Sequence, residues 1–181
     1  MPALTVWSRE DGVLGALAPI GLAAAAGTAI VVDLDGRGLR YPCDTSLADL
    51  VQRGPRRLEL SPRRGGVCLL RNGGITAGEA AEVLDAIVAG WPNVVFRLPA
   101  AVEPPVTAVT VLPLVPGGLF PPLGRRLVMQ SAGWRTPVPT GAIVLPRPRR
   151  STLNRLLLGM QPPRGDRWIR AWRRVWGAGW T

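Results

Sequence analysis

The chain has 181 residues and a formal charge of +10, from 22 basic and 12 acidic side chains, and every basic one is arginine. With no lysine and no histidine, a P-loop lysine, a Schiff-base amine, an imidazole base and a histidine-rich metal site are all excluded. Two cysteines, Cys43 and Cys68, cannot build a four-ligand zinc site or a disulfide framework. The length fits one domain at roughly 150 residues each, and 47% hydrophobic residues are enough for a buried core.

Leu4 to Trp7 reads as a short strand, and Ser8 to Gly12 as a polar turn. Val13 to Ala26 follows as an apolar helix that Gly27 stops; Pro19 inside it should kink it or shift its start. Ala29 to Asp33 is a continuous apolar strand, as buried parallel strands are. Strand, helix and strand together make a βαβ unit. Thr45 to Gln52 is a short helix capped by Asp44 or Thr45. Gly66 to Leu70 is a strand. Thr76 to Ala89 is the clearest helix, with a Thr76/Glu79 capping box, an apolar face of Val83, Leu84, Ile87 and Val88, and Gly90 to close it. Asn93 to Pro99 is a further strand of this half.

Beyond Pro99, Val106 to Val115 fits a strand, and Leu127 to Met129 and Ala142 to Leu145 fit the last two. Ser151 to Met160 is a helix capped by Ser151, and Gly165 to Trp176 is the final one. The alternation predicts an α/β fold with a doubly wound, mainly parallel sheet. No segment reaches the ~20 apolar residues of a membrane span. No basic region precedes an apolar run at the N-terminus, so the expected location is the cytoplasm.

Four segments, in order, resemble the MinD/ParA-type P-loop ATPases. Ser8 to Leu17, with Gly21 to Ala25, is similar to that family's phosphate loop and following helix. Ile30 to Asp35 resembles its second strand. Trp91 to Pro99 resembles its Walker B strand, and Val144 to Pro163 its C-terminal run. The resemblance covers residues 3 to 163. It implies a shortened P-loop NTPase-like domain over residues 1–163, followed by a C-terminal helix and tail over 164–181.

The departures from the family pattern carry the functional expectation. Glu10 and Gly15 stand where the family has its two loop lysines. Ala16 and Leu17 replace the hydroxyls, and Gly12 remains of the glycines. A phosphate cradle works through backbone N–H groups and positive charge. An acid ~4 Å from a phosphate costs on the order of several kcal/mol at a surface-like dielectric. The Walker B aspartate is Arg97. Only Asp33 and Asp35 survive of the acidic set; they are weak candidates for a metal, because polar residues also commonly end a buried strand. The expectation is a pseudo-ATPase with no catalytic residue and no cofactor. The rival is an atypical ATPase holding Mg²⁺ on Asp33 and Asp35.

In the last helix, Trp168, Trp172 and Trp176 recur at four-residue steps, and Trp180 continues them. With Ile169 and Val175 they fill an arc of about 120°. Arg167, Arg170, Arg173 and Arg174 lie outside it. An aromatic face beside arginines suits an anionic membrane surface, and the resemblance points the same way. Packing on its own domain or docking on a protein partner are the other readings. The expected role is a non-catalytic scaffold or regulatory protein of a membrane-associated machine of the septum-placement, pilus-assembly or partitioning type. Its partner would be a protein, such as a related ATPase or a membrane complex. The +10 charge keeps a nucleic-acid-binding module as the alternative.

Overall fold

The computed structural model describes residues 3–9, 12–56, 59, 66–115, 127–133, 135–158, 160, 162 and 165–179. Along them run β1 (Ala3–Trp7), α1 (Val13–Ala26), β2 (Thr28–Asp33), α2 (Leu47–Arg53), β3 (Gly66–Leu70), α3 (Ala81–Gly90) and β4 (Val94–Arg97). β5 (Val109–Leu114), β6 (Leu127–Ser131), β7 (Ile143–Leu145), α4 (Arg150–Leu157) and α5 (Arg167–Gly177) complete the order. The seven strands form one sheet in the order β3-β2-β4-β1-β5-β6-β7. Every pairing in it is parallel. The α/β class and the parallel sheet agree with the sequence.

Both faces are covered, as a parallel sheet requires. α1, α4 and α5 share one core with Val31, Val95, Val109 and Val128. α2 and α3 cover the other face, where Leu50, Val83 and Ile87 meet Ile30, Val32 and Val94. A smaller cluster of Leu112, Leu114, Leu127 and Met129 sits on β5 and β6. Pro113 lies inside β5, a strand with neighbours on both sides. It is tolerated because β1 pairs with β5 only through Thr110. At Pro113 the missing N–H therefore faces no β1 carbonyl.

α1 explains how the helical layer assembles. All positions from Ala16 to Ala23 are buried, so the helix is apolar on every side. It lies between the sheet and the two C-terminal helices. The helix runs through Pro19 unbroken. The Tyr41 hydroxyl donates to the Ala16 carbonyl at 3.0 Å, next to the Gly15 carbonyl that Pro19 leaves without a helical donor.

Three caps differ from expectation. α2 is capped by Ser46, whose Oγ accepts from the Asp49 N–H at 3.1 Å while the Asp49 carboxylate accepts from the Ser46 N–H at 2.8 Å. The Thr76/Glu79 box forms, at 2.8 and 3.3 Å, but it closes a turn and α3 opens only at Ala81. α4 starts at Arg150 with Arg149 as its cap residue, so Ser151 lies within it.

Candidate functional site

The resemblance directs attention to the carboxyl edge of the sheet, where β1 leads into α1. Glu10 lies outside the described residues, and so does Trp180. Gly12 is the cap residue of α1, with no side-chain hydrogen bond at that end. Ala16 is buried. The Trp7 Nε1, Ser8 Oγ and Thr110 Oγ1 atoms are buried without hydrogen-bond partners among the described residues. Register sets Trp7 opposite Thr110.

The built part of this edge is one strand over. Strand register brings Arg97, the last residue of β4, opposite Asp33, the last residue of β2. Its guanidinium turns inward. Nη1 donates to the Leu39 carbonyl at 2.6 Å and to Asp33 Oδ2 at 3.3 Å, and Nη2 donates to Asp35 Oδ2 at 2.8 Å. The same group sits 5.7 Å over the Tyr41 ring centre, a cation–π distance. Arg97 and Asp33 are each 2% exposed and Asp35 is 7% exposed.

Each remaining carboxylate oxygen is also engaged. Asp33 Oδ1 accepts from the Asp35 N–H at 3.0 Å. Asp35 Oδ1 accepts from the Arg37 and Gly38 N–H groups at 3.0 and 3.1 Å. A side chain at Gly38 would run into the Arg97 guanidinium and the Asp35 carboxylate. The loop from Asp33 to Tyr41 therefore wraps a cation supplied by the chain itself.

This arrangement gives Asp33 and Asp35, the weak candidates for a metal, a cationic partner within the chain. Each of their oxygens accepts from Arg97 or from a backbone N–H group. Among the described residues no cluster of three His, Cys, Asp or Glu side chains could hold a metal. Burial is the strongest influence on the Asp33 carboxyl; it outweighs the attraction of Arg97 and pushes the group up to about 6. Burial likewise pushes the Tyr41 phenol above its ordinary value, against the pull of Arg97. Removing one partner of such a buried cluster is what costs, because it leaves a charge uncompensated.

Beside it, at the ends of β2 and β3, lies a cavity of about 400 Å³ whose walls include Asp35, Arg40, Arg71 and Asn72. Cys43 and Cys68 border a different cavity of about 660 Å³ with Trp91 and Leu50. Burial pushes the Cys43 thiol up, away from the thiolate that redox chemistry needs.

Of the readings open for the tryptophans of α5, packing on the chain's own domain holds for Trp168 and Trp172, which the expectation of a contact surface had included. Trp168 is 2% exposed and Trp172 is fully buried. Both lie on Gly21 of α1, where an added Cβ would fall 2.5 Å from each ring. The two rings meet edge to face at 5.7 Å and 86°, a favoured aromatic geometry. Trp168 Nε1 donates to Gln130 Oε1 at 2.7 Å, and the half-buried Trp176 donates to the Leu22 carbonyl at 2.8 Å. The aromatic arc faces its own domain, so a membrane or a partner does not meet Trp168 or Trp172. Helix α5, expected as an appendage beyond residue 163, shares the core of α1. Arg167, Arg170, Arg173 and Arg174 remain exposed on its outer side.

Sequence reasoning missed Tyr41, Gly38 and the Leu39 carbonyl, because nothing local ties them to Arg97. The seat of the tryptophans did leave a signal: Ala16, Ala18, Gly21 and Ala23 on α1 are too small to fill a helix interface, and large side chains must come from elsewhere. Among the described residues no helix is long and apolar enough to cross a membrane. No family model matches the chain, and no curated protein sequence matches it.

Proposed function

We propose that the chain is a pseudo-ATPase: a non-catalytic scaffold or regulatory interaction protein built on a MinD/ParA-like framework and serving a membrane-associated machine. The observation that carries the reading is Arg97 held between Asp33 and Asp35. In the family it resembles, this corner is where acidic side chains serve a magnesium ion. Here a guanidinium already lies between the two carboxylates and pairs with each. The loop before α1 has no lysine to grip a phosphate. The rival route, an atypical ATPase with Mg²⁺ on Asp33 and Asp35, would have to compete with Arg97 for both carboxylates.

Thermal stability with and without ATP and Mg²⁺ tests the proposal. A ligand at a hundredfold over its Kd adds about 2.7 kcal/mol, or roughly 5–10 °C for a chain of this size. The expected shift is nil. A shift of that size, or ADP appearing on incubation, overturns the proposal.

A further inference from the structure

Charge is divided unevenly along the chain. Residues 121–181 hold twelve arginines and one acid, Asp166, whereas residues 1–120 hold ten arginines and eleven acids. Asp166 is buried; it caps α5 and accepts from the Thr152 hydroxyl at 2.6 Å. It therefore offsets little of the charge outside. α4 and α5 lie on the same side of the sheet, in one core with α1. The Thr152–Asp166 bond ties their N-terminal ends together. Their outward surface shows Arg147, Arg149 and Arg150 around the start of α4, and Arg167, Arg170 and Arg174 along α5, all exposed. On α4, Arg150, Asn154 and Leu158 follow one another at four-residue steps and share its outer line. Leu158 is 71% exposed, with Leu157 at 41% and Met160 at 47% beside it.

We propose that this surface docks an acidic segment of a partner protein, with carboxylates on the arginines and an apolar side chain on the Leu157/Leu158/Met160 patch. The inference deepens the scaffold reading and rests on it. Apolar side chains flanked by charged groups have the composition of protein–protein interfaces, where arginine is enriched. Guanidinium pairs with carboxylate through two parallel hydrogen bonds. The charge itself excludes a second copy as the occupant: each copy brings +10, and like fields repel. A bilayer fits less well, because an interfacial helix needs a broad apolar face and that of α5 is turned onto α1. A nucleic-acid duplex fits less well too. Its backbone is held by charge and gives the aliphatic patch nothing to bury against.

The test titrates the intact chain, at physiological salt, with three probes. They are a short amphipathic peptide of glutamate and leucine with its glutamine counterpart, a short DNA duplex, and vesicles containing phosphatidylglycerol. The glutamate peptide is expected to bind at least about tenfold tighter than the glutamine one. It should lose about tenfold on combining Arg150→Glu with Arg170→Glu, and several-fold on Leu158→Ser. These side chains are exposed, so an unchanged melting temperature certifies the variants. Tighter binding to duplex or vesicles than to peptide overturns the proposal, as does no peptide binding or indifference to Leu158→Ser. A thermal shift with ATP and Mg²⁺ on the same preparation reports separately on the pseudo-ATPase reading.

Discussion

The molecule has two interior joints of opposite character. At the carboxyl edge, Arg97, Asp33, Asp35 and Tyr41 form a polar joint held by directed hydrogen bonds. Behind the sheet, Trp168 and Trp172 on Gly21 form an apolar joint that works by volume. The polar joint depends on charge balance and is sensitive to pH and to single atoms. The apolar joint depends on shape and is sensitive to single methyl groups. Both are built from residues whose chemistry suggests an outward task, and in both the fold turns that chemistry inward.

Breaking the polar joint should have the largest effect. Arg97→Ala leaves two buried carboxylates facing each other, which costs about 3–5 kcal/mol. Urea unfolding at neutral pH should show that loss, and the loss should shrink in acid, where the carboxylates take up protons. A loss that stays constant with pH would mean that packing, not charge, holds the joint.

The second effect concerns Asp33 alone. Its folded value is raised to about 6 from an ordinary 3.8. The folded state therefore binds the proton more tightly than the unfolded chain does. The stability this gives is complete below pH 3.8 and is lost as pH rises through about 6, amounting to roughly 3 kcal/mol. Compared with Asp33→Asn across that range, the native chain should lose stability as the pH goes up. The opposite slope would show that the attraction of Arg97 outweighs burial.

The apolar joint should break at a lower cost. Gly21→Ala forces a methyl group against both indole rings, an overpacking worth about 1–3 kcal/mol. Near-ultraviolet circular dichroism should report the tryptophans moving, and an unchanged spectrum would place them off α1. The smallest effect belongs to neither joint and calibrates both: Ser46→Ala removes the α2 cap and should cost about 1 kcal/mol.

The contrast also explains how far the sequence could be read. The strands, the parallel sheet and α1 from Val13 to Ala26 follow from apolar runs and glycine stops, which are local signals. Helix starts depend on which hydroxyl or carboxylate reaches which N–H, so Ser46 rather than Asp44 or Thr45 caps α2. The cluster itself was out of reach. Asp33 and Arg97 are far apart in sequence and meet only once β2 and β4 are in register. The Trp168/Trp172 periodicity gave the direction of a face but not what the face meets; the small residues of α1 held that answer.

The Arg97 guanidinium has one property that a bound ion lacks: it cannot diffuse away. The loop from Asp33 to Tyr41 gathers around a charge at fixed high effective concentration. The charge that organises it is therefore part of the covalent chain and is not taken from solution. The corner is thus furnished with its cation from the moment the chain folds.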